Sequence, residues 1–206
     1  ILIPHHSAKL YLLPADPMKN INLSSLLQKD GFSVLSDFVE QSGVLSSPGL
    51  AQFKTVYFTV PVTRPLLSDN RIRKGLLADV WYQGQKPQSQ WSQAQFSEYI
   101  RDRVKLTRGG QHGVTAMEYK HPDPEFAAYF LKRLHQISDD VIRQETLQKT
   151  NERIAYLQNN IAEMQNPENR RALTALLYEQ ERMKMLVSID QDFTARIIGD
   201  AVQSPK

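Results

Sequence analysis

The chain contains no cysteine. That excludes disulfides, thiolate metal sites and cysteine nucleophiles, and it leaves the compartment open, because a periplasmic domain lacks cysteine as easily as a cytosolic one. Long apolar runs are missing too. No stretch of about 18 apolar residues occurs, so nothing in the sequence reads as a membrane span, and no signal-peptide pattern is visible. A phosphate-binding loop is absent: Gly109-Gly110-Gln111-His112-Gly113 has neither the lysine nor the following helix that such a loop needs, and it reads as a turn. Charge of one sign is scarce. The net charge of +3 permits an acidic partner but is far from the dense basic stripe of a nucleic-acid binder, so no nucleic-acid partner is expected.

What is present is a globular composition, 41% hydrophobic and 23% charged, from which a core can be built. The 206 residues are enough for one domain with an extension, or for two small domains. The sequence opens abruptly on Ile1-Leu2-Ile3-Pro4 and stops at Ser204-Pro205-Lys206 straight after an apolar stretch, and it reads as a piece of a longer protein.

Residues 8–14 are short, apolar and bounded by Pro14 and Pro17, which predicts a buried strand. Two short helices follow over 22–31 and 33–42, each ended by a glycine. Residues 49–60 carry two signals. The run TVYFTV has strand propensity, but Leu50, Phe53, Val56, Tyr57 and Val60 recur every three or four residues, and that period favours helix. A further helix is expected over 69–80, a polar loop over 83–93 and a helix over 94–102. Residues 103–108 and 113–119 read as two strands, with Arg103 and Lys105 facing one way and Val104 and Leu106 the other.

From Asp123 the period becomes helical. Phe126, Ala127, Phe130, Leu131, Leu134, Ile137, Val141 and Ile142 form a wide apolar face. It then narrows: Leu147, Ile154 and Ile161 are seven apart, as are Thr150, Leu157 and Met164, the mark of a helix packed on a helix. Unbroken, residues 123–165 would extend about 64 Å. Asn166 and Pro167 start a return helix, with Leu173, Leu176, Met183 and Val187 on its face and Gln180 as a polar interruption. Ala195-Arg196-Ile197-Ile198 reads as a last strand, stopped by Gly199-Asp200. The fold class expected is α+β: a small mixed β-sheet base with packed helices and a projecting helical hairpin. The base takes 1–122 and 188–206, the hairpin 123–187. Pairing of the terminal strands would place both ends on one side.

Several groups invite a chemical reading. In His121-Pro122-Asp123-Pro124-Glu125 the ionisable residues crowd as they would at a metal or acid/base centre. A helix start also accounts for every one of these residues. His121 is extended before proline, Asp123 caps, Pro124 takes the first helical position and Glu125 meets the positive end of the dipole. His112 and His135 are not spaced as further ligands, so the helix start is preferred and no metal or other cofactor is expected. His5 and His6 are neighbours whose side chains point apart in an extended chain. Trp81, Tyr82 and Trp91 can stack on sugars, though packing of the loop onto the core is favoured. Arg101, Arg103, Lys105 and Arg108 form a positive patch, either a solvated strand face or a contact with an acidic glycan or neighbouring subunit. Asp139 and Asp140 could serve a glycan-processing enzyme as a carboxylate pair. They lie about 100° apart on a helix, however, and do not flank one bond, so a solvated helix face is the better reading. No enzyme is expected.

The order of these segments resembles a known family. YIRDRVKL (99–106), VTAMEY (114–119), HPDPEFAAYFLKRLH (121–135), RIAYLQNNIAEMQ (153–165), RALTALLYEQERMKML (171–186) and FTARIIGDAV (193–202) are similar to the periplasmic domain of the Wzz-type polysaccharide co-polymerases, the chain-length determinants of bacterial surface and secreted polysaccharides. The resemblance is best from residue 99 onward, loose over 44–95, and strongest in the helix start Asp123, Pro124 and Ala127. It implies a non-enzymatic domain in the periplasm, between two inner-membrane helices outside this segment, assembled into a homo-oligomeric ring. Such a ring sets polymer length through contact with the polymerase or the growing chain. Leu147, Ile154, Leu157, Ile161 and Met164 would then form either the hairpin's own seam or a subunit contact. The hairpin is short for the family, which points to a low ring dominated by its base. The alternative is a non-enzymatic envelope adaptor that docks a partner through the hairpin.

Overall fold

The computed structural model describes residues 5–15, 49–82, 91–109, 114–189 and 192–203. The helices expected over 22–31 and 33–42 lie outside them. The fold is α+β. In chain order the described elements are β1 (His6–Pro14), α1 (Gly49–Val56), α2 (Val60–Ser68), α3 (Asn70–Tyr82), α4 (Gln93–Arg103), β2 (Lys105–Gly109), β3 (Val114–His121), α5 (Pro124–Glu163), α6 (Pro167–Ser188) and β4 (Ala195–Gln203). The strands form one sheet in the order β2-β3-β1-β4. All three pairings are antiparallel, where a mixed sheet was expected. The chain divides into two compact units. One contains the sheet, α1 to α4 and α5 as far as Ile142; the other contains the described residues of 143–193.

In the sheet unit the pleat sorts residues by polarity. Ala8, Leu10 and Leu12 of β1 lie directly opposite Tyr119, Met117 and Thr115 of β3, and all six are buried. Between them, Tyr11 stands opposite buried Ala116, and the other intervening pair is charged. Lys9 and Lys105 both stand opposite Glu118, and Ser7 donates to it at 2.7 Å, so charge alternates across three strands. Strand β4 does not end at Gly199-Asp200. It continues to Gln203 through an irregularity: Ile198 faces Tyr11 and Val202 faces Lys9, which leaves three residues of β4 against Leu10 alone. Gly199 has a φ of 70°, a conformation that costs other residues about 1–2 kcal/mol. Glycine here permits a bulge and does not stop the strand.

The helices of this unit close over the buried face with Phe53, Leu66, Ile72, Leu76, Phe96, Ile100, Phe126 and Phe130, all at most 4% exposed. The period of residues 49–60 prevails over their strand propensity. Phe53 and Tyr57 point into the core from α1 and the turn after it, their rings 6.1 Å apart. Helix α2 holds two prolines. Pro61 lies in the first turn, where no intrahelical N–H is needed, and exposed Pro65 forfeits one helical bond. Buried Val62 and Leu66 hold the segment helical regardless. Helix α4 opens with a capping box between Ser92 and Gln95.

In the second unit the narrow apolar seam is visible. Thr150, Ile154 and Leu157 are buried, and Leu147, Ile161 and Met164 are half-buried. Asn166 caps α6 by accepting from the amides of Glu168 and Asn169 at 2.9 and 3.4 Å. Arg143 donates to the carbonyls of Val187 (3.2 Å) and Ile189, so the second helix returns alongside the first. One face differs from the sequence reading: Leu176 is 50% exposed, and half-buried Leu177 takes its place between Leu173 and Gln180.

Gly75 gives the sharpest packing test. It sits inside α3, where alanine would ordinarily be about 1 kcal/mol more favourable. A Cβ there would come within 2.2 Å of the buried Phe126 ring. Gly75→Ala should therefore destabilise the protein by about 1–3 kcal/mol, read as a lowered urea midpoint. A raised midpoint would mean that the ring yields and the contact is not what keeps glycine there.

Candidate functional site

The crowded segment 121–125 is built from the end of β3, a two-residue link and the start of α5. His121 is fully buried. The amide of Asp123 lies 2.9 Å from its Nδ1 and the Asp123 carbonyl 3.1 Å from the same nitrogen; with Nδ1 accepting from the amide, the ring proton is on Nε2, which then donates to the carbonyl of Gly75 at 3.0 Å. The imidazole packs against Phe126 with centroids 4.5 Å apart. Asp123 Oδ1 accepts from the amides of Glu125 and Phe126 at 2.9 and 3.1 Å, and the amide of Ala127 donates to the Asp123 carbonyl at 3.1 Å. Asp123, Pro124 and Ala127 thus form a capped helix start, with both imidazole nitrogens engaged. Among the described residues no group of three His, Asp or Glu side chains is placed to hold a metal ion.

A second polar cluster lies between α3, α4 and β3, and sequence spacing gave no sign of it. Asp79 is fully buried. Tyr99 donates to its Oδ2 at 2.7 Å, and the hydroxyls of Tyr99 and Tyr119 are 2.5 Å apart. With Tyr99 donating to the carboxylate, Tyr119 must donate to Tyr99. Burial, then the neighbouring Tyr119 phenol and the charge of Asp79, hold the Tyr99 hydroxyl far above its ordinary pKa. Burial also raises Tyr119, and the hydrogen bond with Tyr99 only partly opposes it. Both phenols therefore stay neutral donors. Arg103 Nη2 is 3.9 Å from Asp79 Oδ2.

The expected basic patch is divided among different neighbours. Arg103 is the last residue of α4 and not part of a strand face, because the helix runs one residue past the expected 94–102. It lies over the Tyr99 ring at 5.8 Å as well as beside Asp79. Arg101 lies over Phe58 at 5.7 Å. Lys105 is exposed on β2, across from Glu118. The side chain of Arg108 lies outside the described residues, as do those of Trp81 and Tyr82. Trp91 packs edge-on against Phe96 and Tyr99, with centroids at 6.2 and 5.2 Å. His135 is buried and its Nε2 is 2.9 Å from the Ala195 carbonyl.

Asp139 and Asp140 part company. Asp140 is exposed, but Asp139 is buried, and its Oδ1 accepts from the amide and hydroxyl of Thr194 at 2.6 and 2.7 Å. Asp139 is thus no member of a solvated helix face. It fixes the start of β4 to α5.

Asp69 carries a shifted carboxyl at the entry to α3. Burial alone would raise it. Hydrogen bonds from the Tyr129 hydroxyl (2.7 Å) and from the amides of Ile72 and Arg71, with the charge of Arg133 behind them, outweigh burial and hold it below its ordinary value. The Arg71 guanidinium lies 4.1 Å over the Tyr129 ring. A carboxyl with a depressed folded-state pKa contributes stability above its unfolded value of about 3.9 and loses it as pH falls through the folded value. Asparagine caps helices as well as aspartate, so Asp69→Asn isolates the charge. The variant should be less stable than wild type near neutral pH, and the gap should close as the medium is acidified below about pH 4. Urea titrations at several pH values check this; a gap that does not change with pH would contradict it.

Compared with known families and with characterised proteins, the chain matches no family model and no curated protein.

Proposed function

We propose that this chain is the periplasmic domain of an inner-membrane polysaccharide co-polymerase, which controls the chain length or export of a bacterial polysaccharide by scaffolding and not by catalysis. The observation that carries the reading is the pairing of the first and last strands. Ala8 of β1 stands opposite Gln203 of β4, so the chain enters and leaves the sheet side by side. That arrangement suits a domain held between two membrane helices. No described helix is long and apolar enough to cross a membrane, so such anchors would belong to flanking sequence. The order of the segments from YIRDRVKL to FTARIIGDAV, the capped start at Asp123-Pro124 and the returning helix pair agree with the same reading.

In this proposal identical subunits form a closed ring through one repeated heterologous contact, and the ring holds the polymerase or the growing glycan in fixed geometry. Residence time on that scaffold then limits length. Arg101 and Lys105 are the exposed cations offered to an acidic glycan or a neighbouring subunit, Arg103 being turned toward Asp79.

A second reading is an envelope adaptor that docks a partner through the hairpin. The exposure of Tyr156 (67%), Leu176 (50%) and Tyr178 (44%) favours it. The two differ in one observable, the size distribution of surface or secreted polysaccharide in cells with and without the gene. Loss of the gene should shift the distribution or remove the high-molecular-weight fraction. Unchanged amount and length would reject the co-polymerase reading and leave the adaptor.

A further inference from the structure

Among the described residues, three buried side-chain polar atoms lack a hydrogen bond: Asp79 Oδ1, Trp91 Nε1 and Ser138 Oγ. The first is the costliest of the three, because a carboxylate oxygen carries charge as well as lone pairs into the protein. The Asp79 side chain is 1% exposed. Its surroundings come from three elements. Tyr99 and Arg103 approach from α4, with Tyr99 bonded to Oδ2 and Arg103 3.9 Å from the same oxygen. Tyr119 stands behind Tyr99 on β3. The third is the residue that leads into β1: His5 Nε2 lies 3.6 Å from Oδ1, and the His5 side chain is 33% exposed. His6, next to it, is a strand residue opposite His121.

We propose that His5 and Asp79 form a proton-operated latch that holds the entry of the chain to β1. With a proton on both ring nitrogens, His5 is a cation whose Nε2–H donates to Oδ1 and supplies the missing partner. A small movement closes the 3.6 Å separation to hydrogen-bond length. Without the second proton the carboxylate faces an uncharged ring, and the latch is weaker. The other groups around Asp79 do not switch: arginine keeps its charge throughout, and both phenols stay neutral. His5 alone in the cluster is of a type whose charge changes between about pH 5 and 8, and solvent reaches it. The latch is therefore stronger with His5 charged than with it neutral. The latch is independent of the proposal about polysaccharide.

The test compares wild type with His5→Gln, which keeps a polar side chain but cannot gain charge. Urea unfolding is followed at about pH 5.5 and about pH 7.5. The unfolding equilibrium constant of His5→Gln should exceed that of wild type by about three-fold at the lower pH, and the two should nearly coincide at the higher. A difference equal at both pH values, or none at either, overturns the latch. Asp79→Asn should abolish the pH dependence of the His5→Gln effect, and its persistence there would also overturn it. If Asp79→Asn does not fold, the comparison of wild type with His5→Gln decides alone.

Discussion

The sheet unit depends on a buried imidazole. His121 ends β3 with its two ring nitrogens committed to two backbones, taking a hydrogen bond from the Asp123 amide and giving one to the Gly75 carbonyl. A buried ring that lost either partner would leave a polar atom unsatisfied, at about 1–3 kcal/mol. The two bonds therefore fix the direction in which α5 leaves the sheet and the place where α3 crosses it. The rest of the junction follows. Helix α3 comes close enough for its Gly75 carbonyl to reach the ring, and Phe126 then lies on Gly75 with no room for a Cβ. Asp123, positioned by the same link, caps the helix that carries the wide apolar face.

The same constraint governs the other buried or half-buried aspartates. Asp69 caps α3 and ties it to Tyr129. Asp79 organises two tyrosines, and Asp139 seizes the start of β4. Each commits acceptor oxygens to backbone amides or hydroxyls of another element, which is how a small sheet with long connections fixes the register of its helices. The groups left to meet a partner are on surfaces, and the proposed function accordingly rests on assembly and contact. The pairing of β1 with β4 supplies its geometry.

Much of the fold was legible because its signals were local. The start of α5 is written in the order Asp-Pro-Glu, and the seam from Leu147 to Met164 is written in its period. The failures have identifiable causes. Helix α2 is masked by two prolines, whose local cost is overridden by burial of Val62 and Leu66. Gly199 looked like a terminator because a glycine's use in a bulge depends on the partner strand, which is far away in sequence. Arg103 was placed on a strand because alternation over four residues cannot mark where a helix stops. The Asp79 cluster was invisible for a deeper reason. Its members come from four separated segments, and no spacing rule joins His5, Asp79, Arg103 and Tyr119.

The central claim is that His121 serves as a two-way backbone brace and not as a chemical group. The ¹⁵N chemical shifts of its imidazole test that claim most directly, since they report which nitrogen carries the proton. The expected result is a proton on Nε2 and a bare, hydrogen-bonded Nδ1. A proton on Nδ1 in place of Nε2 would contradict it, because the Asp123 amide would then have no acceptor there and Nε2 would have no hydrogen to give the Gly75 carbonyl.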